Sequence, residues 1–181
     1  MTNTETAGSS GTASTAGTAS TAGSASTPGA GDGGRLRFAL LNGLNMTNLG
    51  RRDRTIYGSI ASLQALEDLV TEVGDAVGVD VTAFHSNHEG DLVDFLENNP
   101  DMDGYIINPG GLWAFGDPTR IALEETGRPF VEVHFANIFA TGHLSTFTRS
   151  CDATVMGLRH HGYIGAVVAL AASVRAPARK P

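Results

Sequence analysis

Between residues 36 and 174 the sequence alternates short apolar runs with stretches of helical periodicity, and the runs repeatedly end in polar loops rich in Asn and Gly. Parallel strands need crossover connections, usually helices and nearly always right-handed, so this alternation permits few architectures. Residues 36–41 (LRFALL), 79–84 (VDVTAF), 104–107, 130–134 and a weaker 153–156 read as strands. Residues 60–77 behind a Ser59 N-cap, an apolar face from Leu92 to Leu96, residues 119–126 and residues 163–174 read as helices. Ser86 and Glu89 fit a capping box, and Asp117-Pro118 fits an N-cap followed by proline at N1. The pattern predicts an α/β fold: a five-stranded parallel sheet with helices on both faces. The loops after the strands then gather at one edge, where open α/β sheets bind ligands.

Three of those loops carry chemistry. The loop at residues 42–58 (NGLNMTNLGRRDRTIYG) is longer than an ordinary βα connection and holds Asn45, Arg52 and Tyr57, as a lid or binding loop would. The third strand ends in Asn108, and the fourth, Phe130-Val131-Glu132-Val133, runs into His134. His134 either exchanges protons near neutrality or caps the strand end. Tyr57 either serves as a base, its phenol acidified by nearby Arg52, or packs the base of the loop. Asn45 and Asn108 suit the orientation of a hydroxyl, a carbonyl or a water, although Asn108 before Pro109 also suits a plain turn. Together these residues fit proton abstraction beside a carbonyl followed by loss of a leaving group.

Composition narrows the function further. Residues 1–34 are almost wholly Thr, Ala, Ser and Gly, without aromatic residues or Leu, Ile or Val, and read as a disordered tail before a domain at 35–176 and a short tail at 177–181. The chain beyond that first tail has 12 basic against 17 acidic residues, a net −5, which argues against nucleic acid as a partner. Neither a secretory signal nor a membrane span is evident, so a soluble, cytoplasmic protein is expected. The lone Cys151 fits a reducing compartment and reads as a packed thiol.

The segments LNGLNMTNLGRRDRTIYGS (41–59), SNHEGDLVDFL (86–96), IINPGGL (106–112), EVHFANI (132–138) and GYIGAVVAL (162–170) resemble, in order and spacing, the type II 3-dehydroquinases. The resemblance implies a flavodoxin-like fold, a homo-oligomer that is usually a dodecamer of trimers, and dehydration of a small carbonyl substrate through an enolate without metal or organic cofactor. It implies Tyr57 as base, Arg52 as its activating lid arginine, His134 as proton donor to the departing hydroxyl, Asn45 as holder of the enolate-stabilising water, and Asn108 as a ligand of substrate hydroxyls.

Departures from the family pattern fall in substrate recognition. A histidine is replaced by Ala114 within Trp113-Ala114-Phe115-Gly116, an aspartate by Ile121, a carboxylate-binding serine by Ala136 beside Phe135, and an arginine by Ser145. Leu44 replaces a proline in the first segment. Each missing charged contact costs about 2–5 kcal/mol. The leading expectation is therefore an enzyme with the Tyr57/His134 pair acting on a less polar carbonyl compound in specialised metabolism, by dehydration, isomerisation or cyclisation. A genuine 3-dehydroquinate dehydratase is the second expectation and a non-catalytic assembly or binding protein the third.

Overall fold

A computed structural model describes residues 34–176. The tail expected at 1–34, apart from Gly34, and that at 177–181 lie outside the described residues. Five strands form one parallel sheet in the order β2-β1-β3-β4-β5. They are β1 (Leu36–Leu44), β2 (Val79–His85), β3 (Gly104–Gly110), β4 (Phe130–His134) and β5 (Ala153–Met156). The helices are α1 (Arg54–Tyr57), α2 (Leu63–Ala76), α3 (Glu89–Asn98), α4 (Asp117–Glu125) and α5 (His161–Arg175).

The sheet separates two apolar layers. On one face Phe38, Leu40, Ile106 and Val133 pack against Leu66 and Val70 of α2 and Tyr163, Val167 and Leu170 of α5. On the other, Ala39, Leu41, Tyr105, Ile107 and Phe130 pack against Leu96 of α3, Leu123 of α4 and Phe147. Odd and even strand positions thus serve opposite layers, as the two-residue period of a strand requires. Cys151 packs at the edge of the second layer, where burial pushes its thiol up.

Several boundaries differ from the sequence reading. The first strand continues through Asn42 and Gly43 to Leu44, because those residues stay paired with β3. The loop after it is not irregular throughout: Met46–Asn48 forms a 3-10 turn, and Asp53 caps α1 by accepting from the Thr55 amide at 2.8 Å. Helix α2 begins at Leu63, not Ile60, since Ser62, extended, is the N-cap and accepts from the Ala65 amide at 3.0 Å. The capping box at Ser86 and Glu89 does not form. Glu89 instead accepts from the Thr119 amide and hydroxyl on α4, and His88 is the N-cap. Gly116 caps α4, which places Asp117 inside its first turn. The last helix starts two residues earlier than expected, at His161.

Candidate active site

The strand order reverses between β1 and β3, and at such a switch point the loops on either side diverge to leave a crevice. Here that crevice is a cleft of about 180 Å³ at the carboxyl ends of β1, β3 and β4. Asn45, Arg52, Tyr57, Asn108, Trp113, His134, Phe135 and Ala136 all line it. Tyr57 and His134 therefore open onto one shared space.

His134 enters from the most rigid side. It is the last residue of β4, and Glu132, two positions earlier, projects from the same strand face. The carboxylate Oε1 of Glu132 lies 2.7 Å from Nε2 of His134, and its Oε2 accepts from the Thr148 hydroxyl at 2.6 Å. Burial acts to raise the Glu132 carboxyl, but hydrogen bonds from His134, Ser145 and Thr148 outweigh it and hold the group below its usual range. An ionised carboxylate only accepts, so Nε2 carries a proton and Nδ1 is the ring nitrogen left for chemistry. An imidazole oriented by a third group in this way recurs in acid–base sites.

Tyr57 arrives from the opposite side on the four-residue helix α1. Its ring is half-buried, 5.9 Å from that of Phe135, and the Arg52 guanidinium carbon lies 4.5 Å above its centroid. Arg51 and Arg54 stay exposed, which singles out Arg52 among the three arginines of the loop. Asn45 occupies a left-handed backbone conformation, φ 68°, which asparagine tolerates better than most residues. Its amide donates to Oδ1 of Asn87 at 2.9 Å, and its side chain caps nothing. Asn108 is fixed by donating to the buried Tyr163 hydroxyl at 2.6 Å and accepting from the Gly110 amide at 2.9 Å. Gly110 has φ 56°, and a Cβ there would meet the Leu44 carbonyl oxygen at 2.1 Å, so only glycine closes this wall.

The expected recognition residues divide. Trp113, Phe135 and Ala136 reach the cleft, joined by Met46 and Ile138, which sequence reasoning missed. Ala114 sits in the 3-10 turn Gly111–Ala114 but is not among the lining residues, and Phe115 beside it is 82% exposed. Ile121 lies elsewhere, on an apolar groove with Val93 and Leu96 between α3 and α4. Ser145 is buried, its hydroxyl accepting from the Phe147 amide at 3.3 Å. Glu132 was missed as a functional group. Its signal was a carboxylate inside an otherwise apolar strand, two residues before a histidine. Among the described residues no cluster of three or more His, Cys, Asp or Glu side chains suits a metal, and no helix is long and apolar enough to cross a membrane.

A doubly wound parallel sheet with an imidazole, a phenol and two carboxamides around its switch-point crevice defines an α/β enzyme of the acid–base kind. The sequence profile described as Dehydroquinase class II matches residues 36–171, and the chain belongs to that family. A 3-dehydroquinate dehydratase from Herminiimonas arsenicoxydans is 41% identical over 133 residues, covering 71% of this chain and 91% of the relative. One from Thermotoga neapolitana is 38% identical over 135 residues, covering 71% and 90%. The crystal structure of the type II dehydroquinase from Propionibacterium acnes superposes with a TM-score of 0.71 at 28% identity, covering 77% of this chain and 98% of the other. A dehydratase-like protein from Bifidobacterium longum, 20% identical with a TM-score of 0.52, shares the fold. The chain is thus a lyase of the dehydratase type, which sets aside the non-catalytic reading.

Proposed function

We propose that the chain removes water from 3-dehydroquinate, with Tyr57 and His134 as the proton-transfer pair. The observation that carries this reading is the convergence of Tyr57, Arg52, Asn45, Asn108 and His134 on one cleft, with Glu132 behind His134. Tyr57, with Arg52 held against its ring, takes the proton from the carbon beside the ketone, and the electron pair forms an enolate. Asn45 holds a water against the enolate oxygen, and Asn108 orients the ring hydroxyls. The enolate then expels the neighbouring hydroxyl as His134 protonates it, so that one water leaves and a carbon–carbon double bond forms. Glu132 stabilises the imidazolium that must precede this transfer, as a charge partner does in other oriented histidine sites. The active form is a cytoplasmic homo-oligomer, a dodecamer of trimers.

The test is the absorbance of the enone product when purified protein meets 3-dehydroquinate. Turnover at an ordinary rate, about 1 to 10³ per second, supports the reading, and no turnover ends it. A second reading, a less polar hydroxy-ketone as substrate, is favoured by one observation: Trp113, Ala136 and Ile138 line the cleft, while Ser145 and Ile121 contribute nothing to it. Turnover of such a ketone without turnover of 3-dehydroquinate would establish that alternative.

A further inference from the structure

We infer that Arg159 is a positioning residue that braces the Tyr57-bearing helix against the His134-bearing strand. The inference rests on the reading that these two side chains exchange protons with one substrate. Arg159 lies in the turn between β5 and α5, outside the cleft lining. Its amide donates to the Phe135 carbonyl at 3.0 Å, one residue past His134. Its guanidinium Nη2 donates to the Thr55 carbonyl at 3.0 Å, within α1 and two residues before Tyr57. A single residue therefore connects both banks of the site.

Two further observations single it out. Arg159 has φ 55°, and among the described residues only Asn45 shares a positive φ without being glycine. That conformation costs a side chain with a Cβ what glycine would not lose, so an arginine there works against local backbone preference. Gly58, the residue after Tyr57, packs so closely that a Cβ on it would lie 3.1 Å from both Cδ of Arg159 and Nδ1 of His160. The short helix α1 thus rests on the Arg159–His160 corner, with few other long-range anchors: Asp53 caps it from within its own loop. A second cleft of about 400 Å³, bounded by Thr55, Ile56, Phe135, Ala136 and Arg159, borders α1, so on that side the helix meets open space, not a packed layer.

The test compares full-length wild type with Arg159→Ala, Arg159→Lys and Arg159→Gly. Alanine keeps the backbone demand and loses the donor, lysine keeps both, and glycine relieves the demand while losing the donor. Amide exchange of residues 53–58, followed by mass spectrometry, should quicken about three- to tenfold in the alanine and glycine variants, the scale of one net hydrogen bond, and remain near wild type in the lysine variant. With 3-dehydroquinate, kcat/KM should fall over the same range in the same two variants, although the glycine variant melts no lower than wild type. Unchanged exchange in Arg159→Ala, or a loss in Arg159→Lys equal to that in Arg159→Ala, would overturn the assignment. If wild type fails to turn over 3-dehydroquinate, the substrate reading fails, and the exchange measurement alone decides the brace.

Discussion

The two banks of the cleft are built in opposite ways. His134 ends a fully buried strand, shares hydrogen bonds with a buried carboxylate and is itself only 6% exposed. Tyr57 rides on one turn of helix in a loop anchored to the core by Met46 and Leu49, and is held by a cap, a stacked cation and a few distant contacts. On the proposed assignment, a proton donor fixed by the sheet faces a base carried by a single helical turn. Such a division lets a site admit its substrate from one side without loosening the orientation of the other.

Substitutions at the two banks should therefore fail differently. Removing the phenol oxygen with Tyr57→Phe should lower kcat about 10²- to 10⁴-fold, the usual worth of a positioned proton-transfer group, with little change in melting temperature. If Tyr57→Phe unfolds the protein, the loop-borne side is structural after all. On the strand side, Glu132→Gln should lower kcat and also destabilise the fold by about 1–3 kcal/mol, because Thr148 and His134 lose their ionised partner. Chemical denaturation beside kinetics would separate the two effects.

Acid offers a gentler probe of the same bank. The folded Glu132 carboxyl lies below its ordinary value, so its contribution is fully present above the unfolded value of about 4.3 and fades as pH falls below that towards the folded value. Stability of wild type relative to Glu132→Gln should accordingly shrink as pH falls below about 4.3. A constant difference over that window would deny the carboxylate its role. The smallest effect is expected at Ala136→Ser, which adds one hydroxyl to the cleft wall: KM for 3-dehydroquinate should drop less than about tenfold with kcat unchanged, the scale of one added hydrogen bond. A rise in KM would favour the less polar substrate.

Legibility in the sequence follows the same divide. The strands and their polar ends were plain because a two-residue period and a parallel sheet leave one consistent arrangement, and it placed Asn45, Asn108 and His134 together. Local signals misled where a distant partner competed: Glu89 suited a capping box but is taken by Thr119, and Ile60 continued a helical spacing although it packs on the core from outside α2. Glu132 was hidden because its partners, Ser145 and Thr148, come from a segment more than ten residues away. Ile121 and Ser145 were placed by resemblance alone, and no local pattern says which way their side chains turn.

The Glu132 carboxylate has an engineering consequence. Because one of its oxygens aligns the imidazole while the other is held by Thr148, the stretch from residue 137 to residue 152 doubles as a clamp on the His134 ring. Any attempt to shorten or transplant that connection must still deliver a hydroxyl to the same oxygen, or the graft will misalign the histidine it never touches.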